Sequence, residues 1–363
     1  MGILQLFSKL KSPSRLSERL ELKHLILTLT YACQLRCKMC GQVNLPAGKG
    51  LAPGNLDINL TLQRLKSLST LKTCYLFGGE PLLHPDFFKL VEYLKSRNVS
   101  VGFSTNGLLL GKYAQQIIDS GVDMLSVSVD SHHPEVHDEI RGMPGLFSRV
   151  TENLRHFFSL RSKSSKALPS VKVHFTILQH NIDDMIGYYD YFAENFHGLD
   201  MIKFHFPRFV TPDMSERYVA ALERRFSVCP TSHLGNFSEN SPFSDVDCQR
   251  LYDVLAVLMK RSKTSVTGPV ELDAIRQYFL DPCTPPKGGR CACFKSMTVQ
   301  PDGTAVNCAD YPDIVYGSIQ DSTLLELWNG DTAMRWRDYL DKNGNPGALA
   351  RCSRLYPGIN SKR

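Results

Sequence analysis

From residue 23 the chain alternates two hydrophobic rhythms. Short apolar or every-second-residue runs at 24–30, 73–77, 100–105, 124–130, 171–178 and 201–206 read as strands. Between them, spacings of three and four predict helices over 59–70, 84–98, 108–120, 145–161 and 181–196. Six such units in series imply a parallel sheet with right-handed crossovers. The later strands carry polar side chains on one face. Ser126, Ser128 and Asp130 alternate with Leu125, Val127 and Val129; Lys172, His174 and Thr176 with Val171, Val173, Phe175 and Ile177; Lys203 and His205 with Ile202, Phe204 and Phe206. Successive strand residues point to opposite faces, and a parallel strand covered on both faces is nearly all apolar. One face therefore meets helices and the other meets something polar, as in a curved sheet with a wet, ligand-holding interior. Active sites in such barrels sit at the strand C-terminal ends.

Residues 209–282 lose this rhythm. Helical patterns near 214–226, 246–262 and 270–279 flank a polar stretch around Ser238 to Asp247, which predicts a helical bridge between two domains. Beyond Pro282 the composition changes: Cys283, Cys291, Cys293, Cys308 and Cys352 all fall in 283–363, expected to be a small cysteine-rich domain. Ahead of the sheet, residues 1–22 form a basic arm with Ile3, Leu4, Phe7 and Leu10 at near-helical spacing. A helix packed on the domain is the expectation, contact with a membrane surface the other reading.

The 363 residues suffice for one large α/β domain with a smaller appendage. There is no apolar run of transmembrane length and no signal-peptide pattern. The net charge of +6 comes from scattered Lys and Arg, so no nucleic-acid partner is expected. Eleven cysteines in a chain of this size without a secretion signal point to metal or redox chemistry in a reducing cytoplasm.

Cys33, Cys37 and Cys40 stand in Thr30-Tyr31-Ala32-Cys33-Gln34-Leu35-Arg36-Cys37-Lys38-Met39-Cys40-Gly41, directly after the first strand. Three thiolates on a four-iron cluster leave one iron without a protein ligand, and an open metal position marks a chemical site. Half of a zinc site, or unrelated buried thiols, are the alternatives. The next strand ends in Phe77-Gly78-Gly79-Glu80-Pro81, where paired glycines allow close backbone approach. Together the two motifs resemble those of the radical S-adenosylmethionine (SAM) superfamily. The resemblance implies an α/β fold, a partial (β/α)6 barrel over 23–208. It also implies a 4Fe-4S cluster on the three cysteines whose open iron takes the amino and carboxylate groups of SAM. One electron, from a donor such as flavodoxin or ferredoxin, then cleaves SAM to a 5′-deoxyadenosyl radical. Gly78, Gly79, Glu80 and Pro81 correspond to the edge that binds the methionyl amino group.

Ser104 and Asn106, in Ser104-Thr105-Asn106-Gly107 at the third strand's end, would reach the ribose or methionine part of SAM, a simple turn being the alternative. Ser128 and Asp130, followed by His137-Asp138-Glu139-Ile140-Arg141-Gly142, are similar to family members with an extra cluster domain. Arg141 suits the SAM carboxylate through a two-bond guanidinium grip; a solvated arginine is the other reading. Met39 stands where many relatives place an aromatic residue near the adenine, and methionine packs there too.

In the last part of the chain, Pro301-Asp302-Gly303 is a hairpin signal that returns Cys308 beside Cys291 or Cys293. This segment, with Leu324-Leu325-Glu326-Leu327-Trp328 after it, resembles the SPASM/twitch auxiliary-cluster domains. By position the resemblance implies Cys308, Cys352 and one or both of Cys291 and Cys293 as ligands, with Cys283 a further candidate. Relatives end in a C-x2-C pair, whereas Cys352 is followed by Ser353-Arg354-Leu355, so one auxiliary iron–sulfur cluster is expected rather than two. Zinc accepts the same thiolates. Cys74, Cys229 and Cys248 read as packing or incidental thiols.

The expected chemistry is hydrogen abstraction from a substrate C–H bond, oxidising or cross-linking a peptide or a sugar or aminocyclitol. Lys172, His174, Lys203 and His205 are the substrate-facing candidates, any of them able to act as a base. The 23 residues before His24 are too few for the leader-peptide-binding domain of some peptide modifiers, which favours neither substrate class. Redox-neutral epimerisation or rearrangement is the alternative chemistry, and a noncatalytic iron–sulfur binding or transfer protein the alternative class.

Overall fold

The computed structural model describes residues 20–47, 54–164, 168–281, 284, 291, 294–347, 352, 355 and 359–360. The N-terminal arm up to residue 19, Cys283 and Cys293 lie outside the described residues.

Strands β1 (His24–Thr30), β2 (Thr73–Gly78), β3 (Ser100–Thr105), β4 (Met124–Ser128), β5 (Ser170–Thr176) and β6 (Met201–His205) pair in parallel in sequence order. The crossovers carry α1 (Ile58–Lys66), α2 (Phe87–Ser96), α3 (Leu110–Asp119), α4 (Pro134–Arg141), α5 (Leu146–Arg161) and α6 (Asp184–Asn195). Their starts follow local chemistry: the Asp57 side chain accepts from Leu60 N at 3.0 Å, and Pro134 opens α4 where no amide donor is needed. Val101, Phe103, Leu125, Val127, Val173, Phe175 and Phe204 are fully buried and belong to one hydrophobic core. The curved α/β sheet is open at its ends, as a partial barrel requires.

Three features differ from the sequence reading. First, the expected helical bridge holds α7 (Pro212–Phe226), α8 (Asp245–Leu258) and α9 (Leu272–Leu280), but also β7 (Thr264–Thr267), a seventh parallel strand against β6. Four residues are too short for a periodicity to register, and Thr264 and Ser265 disguise a strand whose every residue is buried. Second, α4 fills a stretch read only as a motif. Third, β8 (Ser296–Val299) pairs in parallel with β1, with His24 opposite Ser296 and Leu27 opposite Val299. The expected hairpin forms from β8 and β9 (Thr304–Val306), joined through Gly303 at φ +86°. Then come β10 (Val315–Ser318), α10 (Leu324–Trp328) and α11 (Asp331–Asn343), with β11 (Ile359–Asn360) antiparallel to β7. The full order is β10-β9-β8-β1-β2-β3-β4-β5-β6-β7-β11. Arg64 of α1 ties the two ends of the chain together, donating to Ile319 O at 2.5 Å and Gln320 O at 2.7 Å.

Candidate functional site

The polar face of the sheet encloses a cavity of about 600 Å³. Its first wall is the loop after β1. Gly79 N donates to Thr30 O and Glu80 N to Ala32 O, each at 2.8 Å. A Cβ on Gly78 would lie 2.2 Å from Thr30 O, and one on Gly79 2.3 Å from Ala32 O, so the end of β2 can brace this loop only if both residues are glycine. On the loop's far side Lys38 N donates to Ile140 O at 2.9 Å. A Cβ on Gly235 would fall 1.9 Å from Gly41 O, which brings the turn Ser232–Asn236 directly over the loop. Cys33, Cys37 and Cys40, held in this way, all face the cavity with Met39 between them.

Glu80 and Asp130 do not line the cavity; both are fully buried behind it. The Glu80 carboxylate accepts from Thr105 Oγ1 at 2.9 Å and Asn106 N at 2.7 Å, and burial pushes its carboxyl up to about 7. Asn106 in turn donates to Gln34 Oε1 at 3.1 Å and reaches Cys33 Sγ at 3.8 Å. Asp130 accepts from Thr176 N at 2.7 Å and from Arg141 Nε at 2.5 Å, and Arg141 Nη1 donates to Cys37 Sγ at 3.8 Å. Two buried carboxylates thus aim cavity-lining groups at two of the thiols. Pro81, also off the cavity, starts the single turn Pro81–Leu83. Gly78, Gly79, Ser104, Asn106, Ser128 and Arg141 line the cavity.

The second wall is built by strand register. Ser104, Ser126 and Lys172 form one row, Ser128, His174, Lys203 and Ser265 the next, and Thr176, His205 and Thr267 the third. Lys172 and Lys203 are 7% and 6% exposed. Lys172 Nζ lies 2.8 Å from Met124 Sδ, a weak acceptor, and burial pulls its ammonium down to about 8. The His174 ring packs edge-on to His205 at 5.1 Å. Burial, and then the charges of Lys203, Lys172, Arg141 and Arg208, hold His174 well below its ordinary value.

Cys291, Cys308 and Cys352 complete the enclosure beside Asn307 and Asp310. Asp310 N donates to Cys308 Sγ at 3.4 Å, and the Asp310 carboxylate pairs with Arg208 at 2.7 Å across the cavity rim. Arg208, Ser232, Asn236, Thr267 and Asp310 escaped the sequence reading. They sit on turns or on the unexpected β7, and only the Cys308-x-Asp310 spacing offered a signal.

Both thiol sets suit iron–sulfur chemistry. Cys33 and Cys37 are pushed up chiefly by burial, and the neighbouring Cys40 adds to the rise of both. A metal that takes Cys33 and Cys37 as thiolates offsets that effect of burial. Cys308 and Cys352 both act on the buried Tyr311 hydroxyl, so they share one neighbourhood.

Two family models match: the Radical SAM superfamily over residues 27–192, and SPASM, an iron–sulfur cluster-binding domain, over 291–354. The chain therefore carries a radical SAM domain followed by a C-terminal SPASM domain. It is a radical SAM enzyme whose cofactors are a 4Fe-4S cluster, SAM and an auxiliary iron–sulfur cluster. Among relatives, the AdoMet-dependent heme synthase of Methanosarcina barkeri is 24% identical, over 88% of this chain and 86% of its own. Mycofactocin maturase MftC of Mycobacterium ulcerans is 30% identical over 43% of this chain, which spans only 40% of that protein. A probable GTP 3′,8-cyclase of Methanococcus aeolicus is 28% identical, over 47% of this chain and 56% of its own. In fold the chain resembles Streptococcus suis SuiB bound to S-adenosylmethionine (TM-score 0.62, 14% identity, 92% of this chain and 72% of that one). It also resembles anSMEcpe with bound AdoMet (TM-score 0.63, 17% identity, 92% and 86%).

Proposed function

We propose that the enzyme abstracts hydrogen from a C–H bond of a substrate held between the cysteine loop and the strand wall, oxidising or cross-linking it. The observation that carries this reading is the single cavity shared by Cys33, Cys37 and Cys40, the basic strand face, and Cys291, Cys308 and Cys352. When bound, the cluster and SAM supply a 5′-deoxyadenosyl radical as the hydrogen acceptor. Cys33, Cys37 and Cys40 hold the first cluster. Gly78 and Gly79 offer backbone to the methionyl end, Arg141 grips the carboxylate, and Ser104, Asn106 and Ser128 present hydroxyl and amide groups to the polar parts of SAM. Met39 packs near the adenine. Glu80 and Asp130 position Asn106 and Arg141 rather than touching SAM. Cys291, Cys308 and Cys352, completed by Cys283 or Cys293, hold the auxiliary cluster, which serves as electron exit or substrate ligand. The loops enclosing the cavity exclude water, as a reactive radical demands.

The substrate is a peptide or a small molecule. Peptide is supported by neighbours of the same fold, SuiB bound to precursor peptide SuiA and anSMEcpe bound to a peptide, and by the MftC match. A small molecule is supported by the heme synthase match, the longest of those above. Flavodoxin or ferredoxin delivers the electron. Among the described residues no helix is long and apolar enough to cross a membrane, and a reducing cytoplasm is the compartment that suits thiolate-held clusters. The division into a core (23–208), a bridge (209–282) and an auxiliary domain (283–363) is part of this reading.

The test is the anaerobic triple variant Cys33→Ala/Cys37→Ala/Cys40→Ala, assayed for iron, sulfide, low-temperature EPR and 5′-deoxyadenosine. About four irons with a surviving reduced-cluster signal, and no 5′-deoxyadenosine, is the expected result. Loss of all cluster iron with the fold intact would remove the auxiliary cluster and favour a redox-neutral epimerisation or rearrangement.

A further inference from the structure

Away from the cavity, a second group of ligand-type side chains comes together. The turn after β4 reads Asp130-Ser131-His132-His133-Pro134, and α6 begins beside it at Asp184. One ring nitrogen of His132, one of His133 and a carboxylate oxygen of Asp184 lie within 4.8 Å of one another. His133 Nε2 is 3.7 Å from Asp184 Oδ1, beyond hydrogen-bond reach. Two ligands on one tetrahedral zinc ion stand about 3.4 Å apart, so this gap is close to what a shared ion needs. The other carboxylate oxygen, Asp184 Oδ2, accepts from Ser131 Oγ at 2.6 Å, and the same Oγ accepts from His133 N at 3.0 Å. Ser131 is fully buried, so one hydroxyl fixes both the carboxylate and the backbone of a histidine. The two imidazole rings are 3.9 Å apart, centre to centre. The His132 ring has its place only because residue 187, one helical turn after Asp184, is glycine. A Cβ there would fall 2.6 Å from Cε1 and 2.8 Å from Nε2 of the ring.

A histidine buried for packing alone ends with its inner nitrogen hydrogen-bonded. His132 Nδ1 is sealed from water and has no hydrogen-bond partner. A plain His–Asp ion pair accounts for His133 and Asp184 but leaves the placing of His132 unexplained. A shared cation accounts for all three. Glu135 and Asp190 add negative charge around the His132 ring, Asp190 being shared with Arg261.

We propose that His132, His133 and Asp184 form a site for a divalent transition-metal ion of the zinc type, which ties the turn after β4 to α6. Two imidazoles and a carboxylate are a donor set that zinc takes readily, whereas calcium and magnesium ask for oxygen ligands. The His133 side chain is 48% exposed, so the ion enters from solvent and water completes its coordination. None of the three residues lines the cavity, and the ion takes no part in the radical step. It braces the chain next to Asp130, the carboxylate that holds Arg141.

The experiment is anaerobic equilibrium dialysis of the cluster-loaded full chain against zinc chloride, with X-ray absorption at the zinc edge on the same samples. Wild type should take up one zinc ion in a shell of nitrogen and oxygen. His132→Ala and Asp184→Ala should each lose that ion, and Ser131→Ala should weaken its binding about tenfold. Added zinc should raise the thermal midpoint of wild type and leave that of His132→Ala where it was. Midpoints without zinc show that each variant is folded, and Asp184→Asn, which keeps an oxygen for Ser131, stands in if Asp184→Ala is not. No zinc in a nitrogen-and-oxygen shell in wild type, or equal uptake by wild type and the variants, overturns the site. Zinc seen only in a sulfur shell belongs to the cysteines and overturns it too. Wild type and variants carry the same cysteines, so the comparison decides the site even if no cluster loads and the radical-enzyme reading fails.

Discussion

The two main walls of the cavity reach the same end by opposite means. The cysteine wall is a loop with no regular structure, fixed from outside by backbone contacts of Gly78, Gly79, Ile140 and Gly235. The strand wall is regular structure, in which the position of each cavity-lining side chain follows from register. A cluster site must hold sulfur atoms at set points whatever the substrate, so its demands fall on chain spacing and on backbone approach. A substrate site needs a stiff lattice whose side chains can change without moving the frame.

The largest test of this contrast is removal of the cysteines. The triple cysteine variant should lose 5′-deoxyadenosine formation completely while its thermal midpoint stays near that of metal-free wild type, because the loop is braced by backbone and not by thiols. Gly79→Ala should do the same damage from the other side of the contact, with cluster iron at the first site lost although no ligand has changed. Incorporated iron and sulfide check both.

Next comes Asp130→Ala. It strands the Arg141 guanidinium, whose partner is fully buried, and should cost about 3–5 kcal/mol in anaerobic denaturant unfolding. Smaller and pH-dependent is the effect of Lys172. Its folded value, about 8 against the ordinary 10.5, means that the unfolded chain holds the proton more tightly. Stability should therefore rise with pH across that window, by about 3 kcal/mol relative to Lys172→Met, and no such rise should remain below it. A flat difference between the two proteins from pH 7 to about 10.5 would mean that the ammonium is already compensated within the fold. Smallest are the incidental thiols. Cys74→Ala, buried in β2, should cost about 1 kcal/mol, and the exposed Cys229→Ser nothing measurable, with activity unchanged in both.

The same contrast explains what the sequence made legible. The six-strand core appeared because each strand alternates long enough to show its period, and the cysteine loop because its information is spacing. Lys172, His174, Lys203 and His205 could be assigned to the polar face by parity alone. Glu80 could not be separated from the cavity by its motif, since its carboxylate turns back to Thr105 and Asn106, a choice made by the local backbone. Strand β7 was too short to announce itself, and Arg208 met Asp310 only through folding of segments far apart in the chain. Contacts of that kind leave no periodic trace.

The pairing of β8 with β1 also dictates an order of events during synthesis. The strand that leads into Cys33 emerges from the ribosome well before residues 296–299, and the edge that pairs with them stays open until they follow. For most of translation the nascent chain therefore presents a bare parallel edge beside three reactive thiols, the kind of edge that templates aggregation. A polypeptide cut short before Ser296 should be insoluble or chaperone-bound even though its radical SAM core is complete.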